Sequence, residues 1–154
     1  SVADRGVFRT TDSGAHWQLL TKRLPEQGRL NLAAHSTLPK TLYAVAAQKS
    51  IYRSLDSGTS WQRMDEGPGT ILHLVHTNMK GSMQTGWLFA ATSNGVQRGM
   101  DCFCLWRRAG DLKGPIIGIS YNPKKPKHVT AISAGGLFQS RDGGETWDRT
   151  APPA

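Results

Sequence analysis

The stretch Ser50-Ile51-Tyr52-Arg53-Ser54-Leu55-Asp56-Ser57-Gly58-Thr59-Ser60-Trp61 decides the fold. Ile51 and Tyr52 carry the branched and aromatic side chains that favour an extended backbone. Ser54 and Asp56 follow, two polar residues whose oxygens can hydrogen-bond nearby backbone N–H groups and fix a turn. Gly58 supplies a positive φ that other residues resist. Trp61, five residues after the aspartate, opens a return strand and can cover the turn with its indole. The unit is a hairpin with a polar lock and an aromatic lid.

The same twelve-residue frame recurs without gaps at Gly6–Trp17, Gly95–Trp106 and Gly136–Trp147. Its aspartates, Asp12, Asp56, Asp101 and Asp142, lie 44, 45 and 41 residues apart. A repeat of about 40–45 residues with strand-like content is the blade period of a β-propeller. The frame Ser/Thr-x-Asp-x-Gly-x-x-Trp resembles the Asp-box, or BNR repeat. That repeat occurs in sialidases, sortilin-type receptor domains, xyloglucanase-type glycoside hydrolases and photosystem II assembly-factor propellers. Thr10, Asp12, Gly14 and Trp17 match it, as do Ser54, Asp56, Gly58 and Trp61, and Ser140, Asp142, Gly144 and Trp147. The third copy keeps only Asp101 and Trp106. Gly99 stands where Ser/Thr is expected and Phe103 where Gly is expected, so this turn should differ in geometry.

Each period leaves room for two further strands. Candidates are Asn31–His35 with Thr41–Ala46, Thr70–His76 with Trp87–Ala91, and Ile116–Tyr121 with His128–Ile132. Asn122-Pro123-Lys124-Lys125-Pro126-Lys127 reads as a basic turn between the last pair. The expected organisation is all-β: an outer hairpin over residues 1–22, then four-stranded antiparallel blades over 29–66, 70–110 and 115–150. Three and a half blades do not close a ring on the usual plan. A partial propeller is therefore expected, completed by further chain or by another subunit. The sequence opens on Ser1 rather than Met, which suggests processing or trimming.

The 154 residues are 38% apolar and carry 19 Lys+Arg against 11 Asp+Glu, a net charge of +8. No apolar run is long enough to span a bilayer as a helix, and no basic-then-apolar leader opens the sequence. Cys102 and Cys104 are the only thiols and sit too close for a fold-stapling disulfide; two small, half-buried residues in a hairpin are expected. An isolated Cys-x-Cys is also a poor zinc site. His16, His35, His73, His76 and His128 are scattered. His73 and His76, three apart on a strand, should point to opposite faces and form no metal pair.

No metal or cofactor is predicted. The four turn aspartates repeat once per blade on outer hairpins, which marks them as structural rather than catalytic. The other acids show no spacing that pairs two carboxylates for glycoside chemistry. The sialidases that the repeat resembles also need an arginine triad and a tyrosine nucleophile. No arginine motif can be matched, and Tyr52 falls in a repeated column with Phe8 and Phe138 that reads as packing. No catalytic residue is assigned.

Arginine carries the remaining signal. Arg9, Arg53 and Arg98 each stand three residues before a turn aspartate, and Arg63, Arg108 and Arg149 two after a turn tryptophan. Repetition puts each set at one height on successive blades. Arg107 and the Lys124, Lys125, Lys127 cluster add charge. Two readings stand side by side: arginines that bridge neighbouring blades, and a surface for an anionic partner. The function expected is a non-enzymatic scaffold that binds an acidic protein through this basic face. An anionic glycan is a second possible ligand; nucleic acid is disfavoured because the aromatics look packed rather than presented for stacking. The alternatives are a piece of a carbohydrate-active propeller and a receptor-type ligand-binding propeller. The resemblance, and nothing else, points to a secreted, periplasmic or lumenal setting.

Overall fold

The computed structural model describes residues 7–21, 24, 30–81 and 85–150. It contains only strands and turns in that range. β1 (Val7–Arg9) and β2 (Gln18–Thr21) form a two-stranded hairpin. Three four-stranded sheets follow. β3 (Asn31–Ala34), β4 (Leu42–Ala46), β5 (Ser50–Ser54) and β6 (Gln62–Asp65) pair in chain order. So do β7 (Ile71–Thr77), β8 (Trp87–Thr92), β9 (Gly95–Met100) and β10 (Trp106–Arg108). The last sheet is β11 (Ile116–Asn122), β12 (Lys125–Ser133), β13 (Gly136–Ser140) and β14 (Asp148–Arg149). Every pairing is antiparallel. The chain is a partial β-propeller: three blades and a preceding hairpin, with the sheets not closed into a ring.

The middle strands show why the blades stack. On β4, Tyr43 and Val45 join a core with Ile71, Leu74 and Leu88 of the next blade, while Ala44 and Ala46 pack on the other face with Tyr52. On β8, Leu88 and Ala90 face back into that first seam. Phe89 and Ala91 face forward, onto Ile116, Ile119, Val129 and Ala131. A sheet covered on both faces needs apolar residues along its middle strand, and Leu42–Ala46 and Trp87–Ala91 supply them. The last blade differs: Ile132 and Leu137, opposite one another on β12 and β13, are 45% and 41% exposed.

The expected basic turn after Asn122 is much shorter than the sequence suggested. β12 begins at Lys125, three residues before His128, because Asn122 pairs directly with Lys125. The Asn122 Oδ1 accepts from the Lys124 N–H at 2.9 Å and closes the turn over Pro123 and Lys124. Pro126 is tolerated in this strand because β13 pairs only from Val129 onward, so its missing N–H leaves no ladder bond unmade on that side.

Candidate functional site

Three of the four aspartate turns are built alike. In the second, Ser54 Oγ donates to Asp56 Oδ1 at 2.8 Å and accepts from the Gly58 N–H at 2.8 Å. Asp56 then accepts from the Ser60 N–H at 2.8 Å and the Ser60 hydroxyl at 2.6 Å. Ser140 and Asp142 repeat this with Gly144 and Thr146. Thr10 and Asp12 do so with Gly14 and His16. Each turn passes two consecutive residues through positive φ, Ser13 and Gly14, Ser57 and Gly58, or Gly143 and Gly144. The bonds from the Ser60 hydroxyl, the Ser60 amide and Ser54 hold Asp56 down to about 2; those from the His16 amide, Thr10 and the His16 ring do the same for Asp12. Burial acts to raise Asp142, but bonds from Thr146, Ser140 and the Glu145 amide outweigh it and keep that carboxyl low.

Trp17, Trp61, Trp106 and Trp147 stand at equivalent places, at or just before the outermost strand. Trp17 and Trp61 donate their indole N–H to the carbonyls of Gly14 and Gly58 in their own turns. Trp106 and Trp147 reach across to the preceding blade instead, to Asp65 Oδ2 at 2.6 Å and the Ala109 carbonyl at 2.9 Å.

The third turn follows another plan. Only Phe103 has positive φ, and the Phe103 N–H closes on the Met100 carbonyl at 2.9 Å. Cys102 and Cys104, expected as two half-buried residues in a hairpin, are joined in a disulfide, with Cys104 exposed. The pair spans one residue and so closes a small loop around Phe103 rather than stapling distant elements. Asp101, expected to hold its own turn, reaches across the seam to the preceding blade. Its Oδ1 accepts the hydroxyl of Tyr43 on β4, and its Oδ2 lies 3.7 Å from His35 Nε2. The physical reason is the missing Ser/Thr and Gly, without which the local amides no longer converge on this carboxylate.

Asp101 thereby completes a buried polar cluster with His35, Tyr43 and His76. The His35 and His76 rings stack with centroids 3.8 Å apart, and Tyr43 lies parallel to His76 at 5.6 Å. Burial, then the bond to Asp101 and its charge, push the Tyr43 hydroxyl far above the usual tyrosine range. Burial lowers His35, against the pull of Asp101, and burial with the neighbouring His35 lowers His76 to about 4. His35, His76 and Asp101 converge closely enough to suggest a metal centre. Their hydrogen bonds argue otherwise. His35 Nδ1 accepts from the N–H groups of Thr37 and Leu38, both at 3.1 Å. His76 Nδ1 accepts from the Ser36 N–H at 3.1 Å, and its Nε2 faces the Thr85 carbonyl at 3.3 Å. A neutral imidazole has one lone pair, and here it is spent on backbone donors. Metal-bound histidines instead donate their second nitrogen outward. The donor set therefore does not fit a cation.

The arginine columns divide. Arg98 is bound into the seam: Nη1 donates to the Gly143 carbonyl at 2.7 Å, Nη2 pairs with Glu145, and the guanidinium lies 5.3 Å from the Trp87 ring. Its side chain is 14% exposed, so it is a blade-bridging residue rather than part of a free surface. Arg53, level with Tyr43 on the neighbouring strand, is half-buried. Arg9, Arg63, Arg108 and Arg149 are exposed. Arg63 pairs with Glu66 and Arg108 donates to the Leu112 carbonyl at 3.1 Å, both within their own blades or the loop that follows. Arg63, Arg108 and Arg149 sit opposite Tyr52, Gln97 and Phe138, which are equivalent positions on the third strand of each blade. They thus form one column along the outermost strands.

Among the described residues, cavities border the blades. One of about 210 Å³ is lined by Asn31, Val45, Gln48, Ile71, Leu72 and Ile117, without a carboxylate. Another, about 500 Å³, lies beside the last blade with Asp111, Lys113, Phe138 and Trp147 among its lining.

Neither a family model nor a curated protein sequence matches the chain. Solved structures do. The chain is similar to a GH74 enzyme of Niastella koreensis with a TM-score of 0.72 at 18% identity, over 97% of this chain and 27% of that one. An ancestral GH74 enzyme matches with a TM-score of 0.70 at 17% identity, over 99% of this chain and 22% of that one. YCF48 from Cyanidioschyzon merolae matches with a TM-score of 0.58 at 16% identity, over 82% of this chain and 38% of that one. At such identities the likeness shows the propeller fold and not a shared activity. The chain spans only 22% and 27% of the two GH74 enzymes.

Proposed function

We propose that the chain is part of a larger Asp-box propeller that serves as a non-catalytic scaffold, binding an acidic protein surface through its outer arginine column. The observation that carries this reading is the disposition of charge. The net charge is +8, and among the described residues most carboxylates are already engaged. Asp12, Asp56 and Asp142 hold turns, Asp101 and Asp65 bond across seams, and Glu66 and Glu145 pair with basic side chains. Arg9, Arg63, Arg108 and Arg149 stay at the surface, where among the described residues only Arg63 has an ion pair, with Glu66, so the field there stays positive. The uncovered Ile132 and Leu137, paired across β12 and β13, suit a further blade, from the same protein or another chain.

A carbohydrate-active propeller is the second reading, favoured by the GH74 neighbours. It needs two carboxylates across one cleft, and among the described residues neither of these two cavities is lined by such a pair. The test uses a fluorescein-labelled oligoglutamate peptide and xyloglucan in parallel. Binding of the peptide that weakens at least about tenfold between ~50 and ~300 mM salt, with no release of reducing sugar, is expected, since exposed charges are screened over about 8–10 Å at physiological ionic strength. Release of reducing sugar would transfer the assignment to the carbohydrate reading.

A further inference from the structure

β7 carries two histidines on opposite faces, and each accepts a backbone N–H from a different neighbouring blade. His76 Nδ1 accepts from Ser36, just after β3, and His73 Nδ1 accepts from Ile119 on β11, both at 3.1 Å. The second bond has a counterpart in the other seam. Asn31 pairs with Val45 and so with Ile51, while His73 pairs with Ala91 and so with Val96; Ile51 and Val96 each precede a turn aspartate by five residues. Asn31 and His73 therefore occupy one position in successive blades. The same count makes Leu74 and Ile119 equivalent. Asn31 Oδ1 accepts from the Leu74 N–H at 3.3 Å, as His73 accepts from Ile119. One seam is closed by an amide that cannot titrate, and the next by an imidazole that can.

We infer that His73 and His76 make the two seams flanking β7 acid-labile, so that mild acidification loosens this blade from both neighbours. The mechanism is geometric. An Nδ1 that accepts a hydrogen bond bears no proton, so the ring's own proton is on Nε2. Protonation must add hydrogen at Nδ1, where it meets the N–H of Ile119 or Ser36 head-on. At His73 the bond is simply lost. At His76 the Ser36 hydroxyl, 3.0 Å from Nδ1, can turn to accept, but the cation then lies buried against the His35 ring.

The groups facing each ring set the window. Around His76 stand His35, Tyr43 on β4 and Asp101 after β9, with Arg53 on β5 acting on His35 and Tyr43. Among the described residues no charged side chain acts on His73, which burial lowers against the Ile119 bond. Both histidines are lowered in the folded state, so the unfolded chain binds more protons and stability rises with pH. Their contribution is intact above the ordinary histidine value of 6.5 and is lost as pH falls toward about 4, the value for His76. This lies above the range in which Asp12 and Asp56, held at about 2, begin to protonate.

Amide hydrogen exchange, expressed as protection relative to the unfolded chain, reads the seams one bond at a time. Between about pH 7 and about pH 4.5 the protection of Ile119 and Ser36 is expected to fall at least ~10-fold. In His73→Asn, which installs the acceptor found at position 31, Ile119 should keep its protection while Ser36 still loses it. Unchanged protection of both amides in the native chain, or equal loss at Ile119 in His73→Asn, would overturn the inference. If that variant does not fold, the imidazole ¹⁵N signals of the native chain decide. Nδ1 of His76 should remain unprotonated at about pH 5.5 and His73 should titrate below the ordinary histidine value, and ordinary titration of both near 6.5 would sink the idea.

Discussion

Phe89→Ala is expected to cost about 3–5 kcal/mol of stability, on the scale of large-to-small core changes. Phe89 is fully buried in the forward seam of β8, packed with Ile116, Ile119, Val129 and Ala131 of the last blade. The opposite wall is equally fixed: a methyl added at Gly144 would lie 3.1 Å from the Phe89 ring and 3.1 Å from Ala109 Cβ. The backbone there, at φ +87, is already shaped by the Asp142 turn, so the space left by the ring cannot collapse. A loss of this size lowers the melting temperature by roughly 10 °C in a chain of this length. Ile117→Ala, at a side chain 63% exposed on the last blade, should change stability by less than about 0.5 kcal/mol. Urea unfolding of both variants checks the contrast, and comparable losses would mean that the seams are not the packed elements described.

Asp101→Ala should cost about 1–3 kcal/mol, because it leaves the fully buried Tyr43 hydroxyl without its acceptor. The degraded repeat alone suggests a smaller loss: a turn stripped of Ser/Thr and Gly should depend little on its aspartate. The structure reverses this by moving the carboxylate from its own turn to Tyr43 on β4 of the preceding blade. A double-mutant cycle with Tyr43→Phe isolates the bond. Coupling of about 0.5 kcal/mol or more is expected, and additive losses would show that Asp101 and Tyr43 act independently.

The sequence made the repeats plain because each turn uses neighbours two to five residues apart, and such bonds repeat with the residues that make them. The blade number, the strand order and the two-sided apolar character of Leu42–Ala46 and Trp87–Ala91 follow from the same local logic. The seams were not legible in that way. The Tyr43–Asp101 bond links residues 58 positions apart, and nothing at either position marks the other. The one available clue was an aspartate retained where its turn partners were gone. Arg98 shows the second limit. Column symmetry placed it beside Arg9 and Arg53, but its pairing with Glu145 depends on a residue that the other turns lack. The opposed faces of His73 and His76 were readable from strand alternation; the backbone amides they meet were not.

In the proposed function the outer arginines bind the partner, while Arg98 holds blades together across the seam. The most direct measurement is the association rate of the oligoglutamate peptide with a variant carrying Arg63→Glu, Arg108→Glu and Arg149→Glu, alongside its melting curve. Exposed arginines with only surface pairings contribute about 0–1 kcal/mol each, so the melting temperature should stay within a few degrees of the parent. The association rate should fall at least ~10-fold, since rim charges act mainly on encounter. Arg98→Glu should do the reverse, lowering stability by separating Glu145 and Gly143 from their donor. An unchanged association rate in the triple variant, or loss of its folded structure, would contradict the claim.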